Sequence, residues 1–119
     1  MASILLVDEI HILRFRIKSH LQKYGYDTIH EASNYQDIIS MYLNTKPDLV
    51  FISINDDSEN LFGIIKKLIE IDPQAKVIVA APQGEEKLII QSLKEGAKGY
   101  IIKPITYANL KQSISKLLT

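Results

Sequence analysis

Side chains that can bind a metal ion or move a proton follow three apolar runs of this sequence. They are carboxylates, an amide, a hydroxyl and an amine: Asp8, Glu9, Ser53, Asn55, Asp56, Asp57 and Lys103. Mg²⁺ prefers one or two carboxylates together with water and phosphate oxygens. A serine hydroxyl needs a neighbouring base before it becomes a strong nucleophile, and Asp8 or Glu9 is a candidate for that base. Which chemistry the set supports depends largely on Ser53.

The apolar runs predict strands, and helical spacing predicts a helix after each of them. The run between Pro47 and Asp56 is typical of a strand buried on both faces of a parallel sheet. The other predicted strands are 3–7, 28–31, 75–81 and 99–102, with 28–31 at the sheet edge. The predicted helices are 10–24 closed by Gly25, 34–44 capped by Asn34, one through 61–68 ending before Pro73, 85–95 closed by Gly96, and 107–117.

Each helix has an apolar stripe that should face the sheet. For the first, second and fifth helices the stripes are Ile10, Leu13, Ile17, Leu21 and Tyr24; Ile38, Ile39 and Tyr42; and Tyr107, Leu110, Ile114 and Leu117. Five strands that alternate with five helices favour right-handed crossovers and a covered parallel sheet. We predict one α/β domain over residues 1–119, a flavodoxin-like three-layer sandwich with strand order 2-1-3-4-5.

In this arrangement the carboxyl ends of the strands form one crevice. We expect it to be lined by Asp8, Glu9, Ser53, Asn55, Ala81 and Lys103.

Composition excludes several classes of protein. Lys and Arg total 14 and Asp and Glu total 14, so the chain lacks the positive field that draws most nucleic-acid binders to phosphate. The chain has no cysteine, which excludes thiolate metal sites and thiol catalysis. No apolar run has the length of a signal peptide core or a membrane span, so we expect a cytoplasmic protein that does not contact a membrane.

Three segments resemble the receiver domain of two-component response regulators. They are Ile4-Leu5-Leu6-Val7-Asp8-Glu9, Pro47-Asp48-Leu49-Val50 and Gly96-Ala97-Lys98-Gly99-Tyr100-Ile101-Ile102-Lys103-Pro104. The resemblance covers essentially the whole chain. It implies a role in phosphorelay signal transduction, with a histidine kinase, a phosphotransfer protein or an output domain as the protein partner.

The resemblance also implies a role for each matching position. In that family an acidic pair holds Mg²⁺, here Asp8 and Glu9, and a lysine after the fifth strand contacts the phosphoryl group, here Lys103. An aromatic residue in the fifth strand reports the change of state, here Tyr100.

Two of the family's chemical positions carry other residues in this chain. Ser53 stands where the family has the aspartate that accepts the phosphoryl group, and Ala81 stands where it has a serine or threonine. The family's Met-Pro after the acceptor strand is replaced by Asp56-Asp57. We therefore expect an atypical receiver, a pseudo-receiver that turns over no substrate, needs no cofactor and binds Mg²⁺ weakly if at all.

These departures lead to expectations for individual side chains. A backbone group or water should satisfy the Ser53 hydroxyl at its strand end. The Lys103 ammonium should pair with Asp8 or Glu9, and the Lys103–Pro104 bond is a candidate cis peptide. Without a hydroxyl at Ala81, Tyr100 loses the partner that would bias its position.

Two surfaces are candidates for binding a partner. On the first helix Ile12 and Phe15 point away from the core stripe among basic residues, as in a docking surface, and in the resembled family this helix faces the kinase or phosphotransfer protein. The fourth helix and fifth strand form the resembled family's usual output face, but here we expect a solvated face, because it carries mixed polar residues: Lys87, Gln91, Lys94, Lys98 and Tyr100.

Two alternative functions remain open at this point. The chain could accept phosphate at Asp56, Asp57 or Ser53 and act as a working phosphotransfer protein. It could also bind a flavin phosphate, since the same strand order does so elsewhere, although Asp8-Glu9 in the first turn would repel one.

Overall fold

The computed structural model describes residues 2–55 and 59–118. Strands and helices alternate throughout: β1 Ser3–Val7, α1 His11–Lys23, β2 Thr28–Ala32, α2 Ile38–Thr45, β3 Leu49–Ser53, α3 Glu59–Ile71, β4 Val77–Ala81, α4 Glu86–Lys94, β5 Gly99–Ile102 and α5 Tyr107–Leu118. Asp56 and Asp57, the alternative acceptors that the sequence offers, lie outside the described residues.

The five strands pair in parallel in the order β2-β1-β3-β4-β5. This confirms the predicted flavodoxin-like fold, including the edge position of β2. β3 lies at the centre, where Phe51 pairs with Leu6 on one side and with Ile78 on the other. All five residues of β3 are buried, as a strand covered on both faces requires.

Alternate residues of each strand supply two separate cores. One core lies between the sheet and helices α2, α3 and α4, and Val7, Ile52 and Val79 belong to it. The other lies between the sheet and helices α1 and α5, and it includes Leu6 and Phe51. Because side chains of a strand alternate between the two faces, one apolar run feeds both cores. Because all five strands are parallel, their carboxyl ends lie at one edge of the sheet. This edge, between the two layers of helices, is the crevice.

Three predictions about the helices are wrong. α2 begins at Ile38 and not after Asn34, because the Asn34 side chain accepts a hydrogen bond from the Asp37 backbone and holds a turn ahead of the helix. Ile10 precedes α1 and is exposed, so it does not belong to the core stripe. Tyr107 is also exposed, and its ring lies edge-on to those of His20 and Tyr24 at the surface.

Glycine ends α4, as the sequence predicts, and this position has little tolerance for a side chain. Gly96 has φ +117°, and a Cβ built on it would lie 2.7 Å from Cγ1 of Ile69. We expect Gly96→Ala to lower the free energy of unfolding by roughly 2 kcal/mol, through the left-handed backbone and the displaced Ile69. Urea unfolding followed by circular dichroism measures this loss of stability.

Gly84→Ala is the matched control for this substitution. Gly84 has φ +88° but a Cβ there would meet nothing within 4 Å, so it carries the backbone cost without the clash. A Gly96→Ala variant no less stable than Gly84→Ala would contradict the role assigned to Ile69.

Candidate functional site

The carboxyl ends of the central strands bring several predicted site residues to one crevice. Asp8 follows β1, Ser53 is the last residue of β3, and Lys103 follows β5. Asp8 and Ser53 are both 0% exposed, and Lys103 is half-buried. Glu9, the second acid of the pair, is exposed at the rim. The pair is therefore divided into one carboxylate inside the crevice and one in solvent.

A hydrogen-bonded chain joins the acid to the amine through an amide. Oδ1 of Asp8 accepts hydrogen bonds from the Ile10 backbone at 2.9 Å and from Nδ2 of Asn55 at 2.8 Å. Oδ1 of Asn55 in turn accepts a hydrogen bond from Nζ of Lys103 at 2.8 Å. The expected direct pairing of Lys103 with Asp8 or Glu9 is wrong among the described residues, because the Asn55 amide lies between the two charges.

The Lys103 ammonium sits in a partly dry environment. Burial lowers the pKa of Lys103 from its ordinary value, and the negative charge of Asp8 offsets only part of that effect. Because the Asn55 amide lies between the two charges, Asp8 stabilises the charged amine less than a direct contact would. The Lys103–Pro104 peptide bond is cis, as the sequence allows.

Two buried oxygens of the crevice lack a hydrogen-bond partner among residues 2–55 and 59–118. They are Oδ2 of Asp8 and Oγ of Ser53. The backbone carbonyl of Ser53 accepts a hydrogen bond from the Tyr35 hydroxyl at 3.3 Å. Of the two partners expected for the Ser53 hydroxyl, a backbone group or water, no backbone group in the described part of the chain fills the role. No described base accepts the Ser53 proton either, so the hydroxyl has no partner that would activate it.

The donors around Asp8 fit a magnesium ion poorly. Among the described residues there is no group of three acidic or histidine side chains that could hold a metal ion. Asp8 offers one carboxylate oxygen, the Glu9 carboxylate is exposed, and position 53 supplies a hydroxyl in place of a carboxylate. Mg²⁺ needs near-octahedral oxygen coordination and gives up its water reluctantly.

The two switch positions lie on neighbouring strands without a polar link between their side chains. Ala81 is fully buried at the end of β4 and offers only a methyl group. Tyr100, in β5, is 53% exposed. Just beyond β5, the Lys103 backbone amide donates a hydrogen bond to the Ala81 carbonyl at 2.9 Å.

Helix α1 presents an apolar and basic surface beside the crevice. Ile12 is 59% exposed and Phe15 is 51% exposed. Next to them, Nε of Arg14 and Nζ of Lys18 each lie 3.0 Å from the Glu31 carboxylate on β2. A second donor of Arg14, Nη1, reaches the backbone carbonyl of Asp8 at 2.7 Å. Arg14 therefore ties the docking candidate directly to the crevice.

The sequence does not reveal the roles of Asn55, Arg14 and Glu31. It places Asn55 in the crevice without a partner, and the position two residues beyond β3 is the only signal for the bridging role. Glu31 is a lone acid in a short edge strand. Its ion pairs with Arg14 and Lys18 form only when α1 packs on the sheet. The residues next to Glu31 in the sequence do not indicate this packing.

Glu31 supplies a pH-dependent prediction. Burial raises its pKa, but hydrogen bonds from Lys18 and Arg14 outweigh that effect and the net pKa is lowered. A lowered folded-state pKa adds stability above the unfolded value near 4.3, and this stability is lost as the pH falls through the folded value. We expect Glu31→Gln to cost about 1 kcal/mol at pH 7, with the difference shrinking as the pH falls below the unfolded value.

Urea unfolding of Glu31→Gln and of the native chain, at pH 7 and at a series of lower pH values, measures this effect. Glu70→Gln is the control, since Glu70 is exposed on α3 and makes no ion pair with another described residue. A gap between Glu31→Gln and the native chain that stays constant with pH would contradict the assignment.

No helix in the described ranges combines the length and the apolar character needed to cross a membrane.

Comparison with known proteins places the site in a family. The model of the response regulator receiver domain matches residues 4–115. The chain is 32% identical over 114 residues to the chemotaxis protein CheY of Thermotoga maritima, covering 96% of this chain and 95% of that protein. It is 31% identical over 115 residues to the chemotaxis protein CheY of Bacillus subtilis, covering 97% and 96% of the two chains.

Solved structures agree with this relationship. A response regulator from Thermotoga maritima superimposes with a TM-score of 0.84 at 30% identity, over 99% of this chain and 98% of that one. A receiver domain protein from Clostridium thermocellum has a TM-score of 0.88 at 24% identity, over 99% and 94% of the two chains, and shows the shared fold. The chain therefore belongs to the response regulator receiver domain family of two-component signalling proteins.

Proposed function

We propose that this receiver domain signals by binding a protein partner and does not accept a phosphoryl group at position 53. The observation that carries the proposal is the Ser53 hydroxyl, which is fully buried and has no described base within hydrogen-bonding distance. An ionised carboxylate can attack a phosphohistidine at neutral pH, whereas an unactivated hydroxyl is a poor nucleophile. The module is accordingly a binding protein that turns over no substrate.

The Asp8–Asn55–Lys103 chain supports the same proposal. In this arrangement the lysine is already engaged by a neutral amide, at 2.8 Å. The amide also holds Asp8, so that one carboxylate oxygen is committed to the protein. These contacts hold the three side chains together without phosphate or metal, and a crevice held in this way favours a single conformation.

Helix α1 is the proposed docking surface for a histidine kinase or a phosphotransfer protein. Ile12 and Phe15 are exposed, and the basic residues Arg14 and Lys18 beside them are held in place by Glu31. An apolar centre with a charged rim is the usual anatomy of a binding interface. Arg14 also donates a hydrogen bond to the Asp8 carbonyl. A change of conformation at Asp8 would therefore alter the position of Arg14 on the docking surface.

A binding measurement tests the docking proposal. Titration of the domain with histidine kinase and phosphotransfer domains from the same organism identifies the partner. The affinity of the double variant Ile12→Ala, Phe15→Ala for this partner is then compared with that of the native domain. We expect its affinity to fall at least about tenfold, since buried apolar anchors dominate interface energies. Addition of a phosphodonor should leave the native affinity unchanged.

The double variant Leu43→Ala, Ile71→Ala is the matched control. Leu43 on α2 and Ile71 on α3 are also exposed, 52% and 42%, but lie on helices that cover the other face of the sheet. Equal losses in the two double variants, or no loss in either, would overturn α1 as the docking surface.

A further inference from the structure

The two helices that cover one face of the sheet, α1 and α5, carry charge of a single sign. All their charged residues are Lys or Arg, and neither helix contains Asp or Glu. On the opposite face, α3 and α4 mix both signs, with Glu70 and Glu86 among their lysines. The balanced total of 14 basic and 14 acidic residues therefore does not show how unevenly the charge is distributed. The basic residues of the two helices are Arg14, Arg16, Lys18 and Lys23 on α1 and Lys111 and Lys116 on α5.

Most of these cations are not neutralised by the domain itself. Arg14 and Lys18 pair with Glu31. The other cations of the two helices are exposed and form no ion pair with another described residue. An exposed, unpaired cation can meet a carboxylate of a binding partner without first breaking a contact inside the domain. The two helices therefore offer positive charge to a partner.

An aromatic cluster joins α1 and α5 into one continuous surface. The Tyr24 hydroxyl contacts the side chain of Ser115 on α5. Nζ of Lys111 lies 5.2 Å from the centroid of the Tyr24 ring. The Tyr107 ring packs edge-on against Tyr24, with 6.0 Å between the ring centroids, and is 39% exposed. Lys111 therefore lies beside the carboxyl end of α1, on the same surface as the exposed residues of that helix.

The outer side of α1 combines apolar anchors with cations along its length. Ile12 and Phe15 are exposed and lie one helical turn apart. Arg16 and Lys23 are exposed and lie two turns apart, on one side of the helix. With 13 residues, α1 is about 20 Å long, so a partner helix packed along it would meet both anchors and both cations. We call the α1–α5 surface the set Ile12, Phe15, Arg16, Lys23 and Lys111.

The acids around this surface favour a partner with a few separate carboxylates over a polyanion. Glu9 and Asp27 are exposed shortly before and shortly after α1, and Glu31 is exposed beside it on β2. A phosphate backbone or an anionic membrane carries closely spaced negative charges, so it would meet these acids as well as the cations. A helix with carboxylates at selected positions pairs with the cations and avoids the acids. The charge pattern therefore fits a protein partner.

We propose that the α1–α5 surface binds an acidic amphipathic helix of a protein partner. The apolar side of that helix covers Ile12 and Phe15, and its carboxylates pair with the three cations of the surface. The inference rests on the docking role proposed for α1, and it adds the charge of the partner and the contribution of α5. Opposite charges on the two surfaces also raise the rate of association, an effect that salt weakens.

Helical peptides of about five turns test the charge of the partner. Three peptides share leucines at helical spacing and carry only glutamate, only glutamine or only lysine at the flanking positions. Each is titrated into the native domain at pH 7 while backbone amide resonances are followed by nuclear magnetic resonance. We expect the acidic peptide to bind at least about tenfold more tightly than the glutamine peptide, with saturable shifts at residues 12–23 and 107–111. Raising the salt from about 0.1 M to about 1 M should remove most of this difference.

The other outcomes of the peptide titrations overturn the inference. Equal binding of the glutamine peptide at the same residues would refute the charge of the partner but leave the docking role of α1 standing. Tighter binding of the lysine peptide, or no saturable shift at these residues with any peptide, would refute the α1–α5 surface. A short DNA duplex and phosphatidylglycerol vesicles are the remaining probes, and tighter binding of either than of the acidic peptide would identify a polyanion site instead.

A charge reversal locates the acidic helix on the domain. The double variant Arg16→Glu, Lys111→Glu should weaken the acidic peptide at least about tenfold and strengthen the lysine peptide. Lys66→Glu, Lys67→Glu is the matched control, since both lysines are exposed on α3 and the variant changes the net charge by the same amount. A loss of the same size in both variants would mean that net charge and not position decides the affinity, which contradicts the proposal.

Discussion

Ser53→Asp is expected to lower the free energy of unfolding by about 4 kcal/mol when no divalent cation is present. The substitution places a second carboxylate at a fully buried position that lines the same cavity as Asp8. Oδ2 of Asp8 already lacks a partner among the described residues, and the Lys103 ammonium at this crevice is engaged by Asn55. An uncompensated buried charge typically costs 3–5 kcal/mol, and a like charge nearby adds to it.

Urea unfolding in the presence of a chelator measures this loss, and Ser53→Asn is the matched control. Asparagine has nearly the same shape as aspartate but carries no charge, so the difference between the two variants isolates electrostatics from packing. Millimolar Mg²⁺ should restore part of the stability of the aspartate variant alone, because two carboxylates can then share the ion. An aspartate variant as stable as the native chain without Mg²⁺ would refute this account of the crevice.

Phosphoryl acceptance is expected to appear in the Ser53→Asp variant and to be absent from the native chain. Both proteins are incubated with Mg²⁺ and a small acyl-phosphate donor, and their intact masses are compared. The variant should gain one phosphoryl group in a fraction at least about tenfold above the native background, because an ionised carboxylate replaces a hydroxyl without a base. Lys103 and Asn55 already lie at this crevice.

The outcomes of the phosphorylation experiment distinguish a pseudo-receiver from a receiver that accepts phosphate. A mass gain by the native chain would contradict the pseudo-receiver proposal, and peptide mapping would then decide among Ser53, Asp56 and Asp57. Phosphorylation of the variant alone would mean that the residue at position 53 is what prevents phosphorylation, and that the rest of the crevice can still support it. Ser53→Asn serves again as the uncharged control and should gain no mass.

The strands could be predicted because their signal is local. A run such as Leu49 to Ile52 is apolar at every position, and only a strand covered on both faces buries all of it. Five such runs separated by helical spacing leave few topologies, and the handedness of the crossovers selects among them. The ends of the strands then place Asp8, Ser53 and Lys103 together without knowledge of any side-chain contact.

The details that the sequence does not predict depend on distances of a few ångströms. Lys103 and Asp8 carry opposite charges at one edge of the sheet, which suggests an ion pair, but the Asn55 amide fits between them. Asn34 has the chemistry of a helix cap, yet its side chain closes a turn and α2 begins later. Ile10 and Tyr107 fit apolar stripes at their ends, but both side chains lie at the surface and stay partly exposed.

The ion pairs of Glu31 have a consequence for the association of the domain with itself. β2 is an outer strand of the sheet, and an outer strand with free backbone groups invites pairing with a strand of another molecule. Arg14 and Lys18 reach across from α1 to Glu31 in this strand. Any chain that approached to extend the sheet would have to desolvate this charged cluster. The ion pairs that hold Arg14 and Lys18 on the docking helix therefore also oppose aggregation through the β2 edge.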